Sequence, residues 1–170
     1  MMIRHENAQL LCEYWKRLRD AQGRPPARSQ IEPRAVKTAL PSLFFLERRP
    51  EGGFRFRLAG TALCALYGEE LRGADFARLW RPQDADAISA LLRDVIEHGE
   101  PGMATAIAGE RGARIDLEWV FAPLRNETGV VDRIIGSANI VSQRSERRQV
   151  IAEPMQVFFI QRADRAPKTG

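Results

Sequence analysis

Cysteine and histidine are scarce in this chain, which has two of each among 170 residues. Cys12 and Cys64 are far apart and form no Cys-x-x-Cys pair, so the sequence favours neither a zinc knuckle nor a dithiol redox site. Both are interpreted as small apolar core residues. His5 stands in a terminus expected to be loose and His98 ends a predicted helix, so no histidine ligand for haem is expected. The sequence therefore predicts no metal and no cofactor.

The motifs of common enzyme classes are also missing. There is no Gly-x-Gly-x-x-Gly, no phosphate-binding Gly-Lys-Ser/Thr loop and no His-Glu-x-x-His. With only two histidines, at these positions, the sequence offers no general base that could activate a nucleophile. Asp84 and Asp86, at the start of the predicted long helix, are interpreted as partners of the positive end of the helix dipole. We expect a protein without catalytic activity.

Long apolar runs are absent as well. None approaches the roughly 18 residues that a helix needs to span a bilayer, and residues 1–7 have no apolar core of a signal peptide. These absences favour a cytoplasmic protein without membrane contact. Residues 1–30 and 143–170 each hold six Lys/Arg against three Asp/Glu, whereas residues 31–142 are slightly acidic. A slightly acidic centre argues against a basic face for nucleic acid.

The chain begins with a predicted helical extension. A first helix, with Asn7 as its expected cap, runs to about Asp20 and carries one apolar stripe. The stripe consists of Leu10, Leu11, Tyr14, Trp15 and Leu18. A second short helix is expected at about residues 32–40, with Pro33 in its first turn.

Alternating apolar residues and the turns between them predict five strands. These are residues 43–49, 54–59, 103–108, 114–122 and 130–141. The clearest helix begins at Pro82, after the second strand, and ends at Gly99. Two strands, a helical block and three strands are typical of an α+β domain with a five-stranded antiparallel sheet. In such a sheet, helices pack on one face and solvent covers the other.

Residues 54–73 carry the most specific string in the chain, a strand that breaks into short helices and ends on glycines. Its distinctive parts are Arg57-Leu58-Ala59-Gly60-Thr61, Tyr67-Gly68 and Leu71-Arg72-Gly73. Further matching strings precede it: Arg24-x-Pro26-x-Arg28, Glu32-Pro33, Leu40-Pro41 and Phe44-Phe45-Leu46. With these strings the chain resembles a PAS domain, and within that family a bacterial branch of stand-alone PAS-like proteins first catalogued without a function. The resemblance covers roughly residues 15–142.

The resemblance implies a PAS-like domain at residues 42–142, after an N-terminal helical extension at 1–41 and before a basic C-terminal tail at 143–170. PAS domains sense small molecules, light, redox state or oxygen, or they dimerise and pass signals between proteins. We expect a stand-alone regulatory module whose output is contact with a second copy or with an unidentified signalling protein. The alternative is a small-molecule sensor whose ligand changes dimer or partner affinity.

Candidate pocket residues are those expected between the sheet and its helices. They are Phe56, Leu58, Leu63, Tyr67, Phe76, Trp80, Leu92, Ile96, Trp119, Phe121, Ile135 and Ser137. Their large side chains either fill this space or line a ligand pocket, and the sequence leaves both open.

Candidate contact residues are those that a partner chain would cover. They are the stripe of the first helix (Leu10, Leu11, Tyr14, Trp15 and Leu18) and the arginines Arg55 and Arg57. The stripe is expected to pack on its own sheet or on that of a second chain. The arginines are expected to pair with Asp116 or Glu118 or to contact a partner. The apolar run of residues 155–160 in the tail is expected to be covered by the chain's own domain or by a partner.

Overall fold

The computed structural model describes residues 1–109, 114–144 and 150–162. The strands are β1 Leu43–Arg48, β2 Phe54–Ala59, β3 Gly102–Ala108, β4 Ile115–Arg125, β5 Val131–Gln143 and β6 Gln156–Arg162. The α-helices are α1 Glu6–Asp20, α2 Thr61–Tyr67 and α3 Pro82–His98. Three 3-10 helices lie at Arg28–Gln30, Pro33–Ser42 and Phe76–Leu79. The strands form one antiparallel sheet in the order β2-β1-β5-β4-β3-β6.

The sheet has six strands and not the expected five, because the apolar run in the tail pairs with β3 as β6. Val157 and Ile160 of β6 pack against the core, so the chain's own sheet covers part of this run. Residues 145–149 and 163–170 of the predicted tail lie outside the described residues.

The inner face of the sheet is the one covered by α2, α3 and the 3-10 helix Phe76–Leu79. Alternation along β4 turns its apolar side chains to this face, as the sequence predicted. These are Ile115, Leu117, Trp119 and Phe121, and all four belong to the main core. α3 begins with Pro82 and is followed by Gly99 in the left-handed region at φ 69°, which is the predicted pair of boundaries.

The outer face is covered too, whereas the sequence predicted a solvated face. α1 and the 3-10 helix Pro33–Ser42 pack on it, and both present apolar side chains that burial removes from water. The outer-face cluster comprises Leu11, Tyr14, Trp15, Ile31, Val36, Ala39, Leu43, Phe45, Ala122, Leu124 and Ile135. The apolar stripe of α1 therefore packs on the chain's own sheet, one of the two arrangements that the sequence left open.

Hydrogen bonds fix the start of α1 on this face. The Glu118 carboxylate is fully buried and accepts bonds from the backbone N–H groups of Arg4 at 2.8 Å and His5 at 3.0 Å. These bonds compensate the carboxylate for the water it has lost. The helix cap is His5 and not the predicted Asn7, because His5 Nδ1 accepts from the Asn7 N–H at 3.2 Å.

Contacts cross both predicted domain boundaries. The extension covers the outer face of the sheet, and β6 extends the sheet itself. The division at residues 42 and 142 stays a prediction about folding units. Among the described residues, no helix combines the length and the apolar character that crossing a bilayer requires.

Candidate functional site

Six aromatic rings occupy the space between the inner face and its helices. They belong to Phe44, Phe56, Phe76, Trp80, Trp119 and Phe121, and none of these residues is more than 2% exposed. The Phe76 ring is the hub, since its centroid lies 5.4–6.1 Å from those of all five other rings. Edge-to-face and offset contacts in this range are favourable for aromatic pairs. The rings form one continuous aromatic cluster.

Local structure aims these rings at one another. β4 contributes Trp119 and Phe121 at alternate positions, and Phe76 comes from the 3-10 helix beside them. That helix is capped by Asp75, whose carboxylate Oδ1 accepts from the Ala77 N–H at 2.9 Å. The cap sets where the turn begins, and hence where the Phe76 ring enters the core.

Gly136 makes room for the cluster in the middle of the sheet. It is paired with Phe44 of β1 on one side and Phe121 of β4 on the other. A Cβ atom at this position would overlap the Phe44 ring and the Val120 carbonyl oxygen. The glycine therefore lets the Phe44 ring lie flat across β5.

Two donors inside the aromatic cluster have no acceptor. The indole N–H groups of Trp80 and Trp119 are buried and make no hydrogen bond. Tyr67 differs, because its hydroxyl lies 3.0 Å from the Met155 sulfur, and burial raises the pKa of this phenol. As far as the structure describes the chain, the inner face is thus apolar, with two unsatisfied donors and one neutral phenol, and its described side chains include no nucleophile paired with a base.

Nine of the twelve candidate pocket residues come together in the inner-face core. They are Phe56, Leu63, Tyr67, Phe76, Trp80, Leu92, Ile96, Trp119 and Phe121. The other three candidates, Leu58, Ile135 and Ser137, do not line this space.

A β-bulge in β2 accounts for Leu58. Leu46 pairs with Phe56 but Phe45 pairs with Leu58, so Arg57 is the additional residue. The extra residue turns Leu58 to the outer face beside Phe45, where it is 44% exposed.

Ile135 and Ser137 do not line the space because they belong to the set of alternate β5 residues that faces outward. Ile134 and Ala138 belong to the inner core, and Ile135 belongs to the outer-face cluster. Ser137 pairs with Leu43 of that cluster, so it too faces outward. Positions 134 and 135 are both isoleucine, so the sequence carries no signal for the phase at this point.

Phe44 and Met155 are core residues that were not among the candidate pocket residues. The Phe44 ring contacts four of the other five rings, and the Met155 sulfur accepts a hydrogen bond from the Tyr67 hydroxyl. The alternation of Phe44 with Phe45 on a strand buried on both faces carries no inward or outward signal. Met155 belongs to the apolar run that was expected to need a cover.

Three clefts of the described surface lie away from the aromatic cluster. One of about 440 Å³ lies between α2, β5 and the chain start, lined among others by His5, Ser42 and Asn139. A second, of about 450 Å³, lies beside Phe158 and Phe159 of β6. The third, of about 230 Å³, lies at Tyr67, Arg78 and Ile151. None of the six rings lines them.

The candidate contact residues fall into two groups. Leu11, Tyr14 and Trp15 are buried on the chain's own sheet and are not available to a partner, whereas Leu10 and Leu18 are half-buried. In the second group, Arg55 and Arg57 are exposed on β2.

The two arginines pair with Glu47 and not with Asp116 or Glu118, because β2 is adjacent to β1 and remote from β4. Arg55 Nε lies 3.1 Å from Glu47 Oε2, and Arg57 Nε lies 3.5 Å from the same oxygen. Arg133 Nη2 lies 3.2 Å from Glu47 Oε1, so three guanidinium groups share one carboxylate.

The two cysteines differ in environment. Burial raises the pKa of the Cys12 thiol to about 12. Cys64 was predicted to be a core residue, but it is only half-buried. Desolvation nevertheless raises the pKa of its thiol. Within residues 1–109, 114–144 and 150–162, no three His, Cys, Asp or Glu side chains form a group that could hold a metal ion.

The sequence matches a known family over most of its length. A family model described as a PAS domain matches residues 3–139. No curated protein is significantly similar to the chain.

Solved structures of low sequence identity are also similar. A light-oxygen-voltage domain studied with a flavin analogue is 22% identical over 64% of this chain and 83% of that chain, with a TM-score of 0.49. The light state of the blue-light photoreceptor Aureochrome1 LOV is 19% identical over 64% of this chain and 88% of that chain, with a TM-score of 0.46. A Vibrio cholerae VqmA dimer without its target DNA is 18% identical over 64% and 49%, with a TM-score of 0.48.

Proposed function

The chain belongs to the PAS domain family, and from this premise we propose that it is a non-catalytic signalling module that acts through protein–protein contact. Membership in this family makes it a sensory or signalling module. The finer proposal rests on one observation, the aromatic cluster that fills the space between the sheet and its helices. Its setting would be the bacterial cytoplasm, with a second copy or another signalling protein as partner and without nucleic acid or membrane.

The packing of the aromatic cluster argues against a resident ligand there. Phe76 contacts all five other rings, so a ligand could enter only by displacing it or a neighbour. Protein interiors pack as densely as organic crystals, and emptying the site of one Phe ring costs about 3–5 kcal/mol. A ligand would have to compensate for that cost before it bound at all.

A module with a filled core passes its signal at the surface. Arg55 and Arg57 are candidates for such contact because both are exposed and both share the single carboxylate of Glu47 with Arg133. Arg133 Nε also lies 3.5 Å from Asp132 Oδ1, so three guanidinium groups face two carboxylates. The remaining positive charge favours an acidic surface on a partner.

A second function is favoured by a different observation. The unpaired indole N–H groups of Trp80 and Trp119 would both gain an acceptor from a small ligand with a carbonyl or carboxylate oxygen. In that case the chain would be a small-molecule sensor, and the ligand would alter its affinity for a partner.

Native mass spectrometry of the purified protein, with a denatured control and an absorbance scan, separates the two functions. The proposal predicts the bare polypeptide mass or a multiple of it, and no absorbance beyond that of the protein. Extra mass that leaves on denaturation would contradict it. The matched variants Trp119→Phe and Trp15→Phe then locate the ligand, because only the first removes an indole donor from the inner face.

A further inference from the structure

The helices on the outer face leave one corner of it open. The outer-face cluster takes its strand residues from β1, β4 and β5. Ala8 and Cys12 of α1 pack on Met103, at one end of β3. Further along β3, Thr105 and Ile107 line the cleft of about 450 Å³, here called the outer cleft. The open corner is therefore the outer side of β3.

The outer cleft lies between two walls. One wall is the chain start, where Met2 and Arg4 line the cleft, and the other is β6, where Phe158 and Phe159 line it. The Met2 N–H donates to Gln161 Oε1 at 3.4 Å, so a hydrogen bond joins the two walls. The cleft is thus a groove across β3 that is bridged at one place.

A β-bulge in β6 turns both rings of its wall into the outer cleft. Thr105 pairs with Phe159, but Ala106 pairs with Val157, so Phe158 is the additional residue. Without the bulge, two consecutive residues of a strand would point to opposite faces. Phe158 is 73% exposed and Phe159 is 50% exposed. Exposed apolar side chains gathered in one place mark an interaction site more reliably than single ones do.

The floor of the outer cleft is apolar and offers no main-chain groups. Met103, Thr105 and Ile107 alternate along β3 and span roughly 13 Å. Thr105 is partly exposed, but its hydroxyl oxygen is buried and so is not presented to the cleft. β3 pairs with β4 on one side and with β6 on the other, so its N–H and C=O groups belong to the sheet. A peptide would find no main-chain partner on this floor, whereas an alkyl chain needs none.

The charged lining of the outer cleft is basic. Arg4, Arg114 and Asp116 line it. Arg114 Nε donates to Asp116 Oδ1, so these two charges are paired with each other. Arg4 is exposed, and within the part of the chain that the structure describes its guanidinium forms no ion pair. Its backbone N–H is held by Glu118, which keeps the residue beside the cleft. A free guanidinium next to apolar surface favours a carboxylate, which it can bind with two parallel hydrogen bonds.

The size of the outer cleft fits a small molecule. Sites for small molecules have volumes of about 300–1,000 Å³ and are mostly apolar, with a few polar groups that orient the ligand. The outer cleft has a volume of about 450 Å³, an apolar floor, one aromatic wall and one unpaired cation. A linear apolar chain with an anionic head group matches all four properties.

We propose that the outer cleft binds a small amphipathic acid, whose alkyl chain lies on the β3 floor beside Phe158 and Phe159 and whose carboxylate meets Arg4. The inference goes beyond the proposed function and does not rest on it. The site is on the opposite face of the sheet from the aromatic cluster, so the core stays filled when the acid is bound.

Isothermal titration calorimetry of the full chain with dispersed sodium decanoate tests the site. We expect a dissociation constant on the order of 100 µM, as is usual for a ligand with so few atoms. Octanoate, which is two methylenes shorter, should bind about tenfold more weakly, because each buried methylene contributes to affinity. Decyltrimethylammonium has the same chain with a cationic head, and it should bind at least about tenfold more weakly than decanoate.

Two pairs of matched variants locate the chain and the head group. Phe159→Ser should weaken decanoate binding about tenfold, because it removes part of the aromatic wall. Leu58→Ser, at a 44% exposed leucine of β2, should leave binding unchanged. Arg4→Gln should weaken binding about fivefold, the upper range for an exposed ion pair, and Arg93→Gln on the exposed side of α3 should not. Circular dichroism checks that all four variants fold.

Decanoate that fails to bind, or that binds wild type and Phe159→Ser equally, would overturn the inference. So would a cationic chain that binds as tightly as decanoate. Flotation with vesicles of phosphatidylcholine and phosphatidylglycerol separates a free acid from a lipid surface, since binding to vesicles without binding to dispersed decanoate would contradict the proposal.

Sedimentation equilibrium of the full chain completes the test. A dimer that Phe159→Ser abolishes, in a protein that does not bind decanoate, would mean that a second copy covers the outer cleft, and the inference would be wrong. The proposed function fails separately, by a ligand in the aromatic cluster. A ligand bound as weakly as decanoate dissociates on dilution, so a bare polypeptide mass in native mass spectrometry is expected under both proposals.

Discussion

The two faces of the sheet are both buried, but they are closed by different means. The inner face is closed by the aromatic cluster, in which five rings surround that of Phe76, and the two indole donors of the cluster have no acceptor. The outer face is closed by α1, whose Trp15 donates to the Pro123 carbonyl at 2.7 Å. The Tyr14 hydroxyl there donates to the Gln30 carbonyl at 3.1 Å and accepts from the Glu32 N–H at 2.9 Å.

The two faces therefore specify different things: ring packing on the inner face specifies the shape of the core, and hydrogen bonds on the outer face specify the orientation of α1. Close packing of rings stabilises through buried area and dispersion, which depend on volume and tolerate few gaps. Hydrogen bonds to buried carbonyls contribute less in total, but each one is satisfied in only one placement of the helix. The inner face should therefore respond to changes of side-chain size, and the outer face to the loss of single polar atoms.

Phe76→Ala is expected to have the largest effect. Removing the hub ring leaves a cavity bordered by five rings and should lower the free energy of unfolding by about 3–5 kcal/mol. Urea unfolding followed by circular dichroism measures this change. Leu18→Ala on α1 serves as control, because that side chain is only half-buried and should cost much less.

A loss below about 1.5 kcal/mol for Phe76→Ala, as in volume-tolerant swaps, would mean that the neighbouring rings relax into the space. The filled core would then be plastic enough to admit a ligand, and the contrast between the two faces would weaken.

Gly136→Ala tests the same face by adding volume. The new Cβ would overlap the Phe44 ring and the backbone oxygen of Val120, so stability should fall by about 3 kcal/mol, near the upper end for overpacking. Combining it with Phe44→Leu should recover part of the loss, since the two sites are in contact. Additive effects in the double variant, measured by the same urea titration, would show that the ring does not depend on the glycine.

Much of the fold could be predicted from the sequence, because hydrophobic periodicity and the glycine and proline residues at element boundaries are local signals. α3 lies between Pro82 and Gly99 as predicted, and β2 has its predicted bounds. The sixth strand was missed because residues 156–162 are defined as a strand only by pairing with β3, about 50 residues earlier in the chain. The cover on the outer face was left open between the chain's own sheet and that of a second chain, because an amphipathic helix specifies that it must be buried, not where.

The candidate site was predicted to the extent that strand alternation held. Trp119 and Phe121 on β4 were predicted on the correct face. Leu58 was predicted on the wrong face because of the bulge in β2, and Ile135 because residues 134 and 135 are both isoleucine, so the sequence does not show which of them faces the inner core. Bulges depend on the partner strand, and a glycine such as Gly136 reveals its role only when Phe44 lies across it. These features are properties of pairs of strands, and the residue pattern of one strand alone does not encode them.

The sharpest comparison of the two faces uses one chemical change at two sites. Trp15 and Trp119 are both fully buried, but Trp15 donates to Pro123 at 2.7 Å and Trp119 has no acceptor. Replacing either by Phe removes a similar volume, so the cavity costs are similar. The polar contributions differ in sign, because Trp15→Phe leaves a buried carbonyl unpaired while Trp119→Phe removes an unpaired donor. Trp15→Phe should therefore be less stable than Trp119→Phe by about 2 kcal/mol, measured by urea unfolding of the ligand-free protein. Equal losses would indicate that the Trp119 indole has an acceptor in the ligand-free protein, which would remove the unpaired donor on which the alternative sensor function rests.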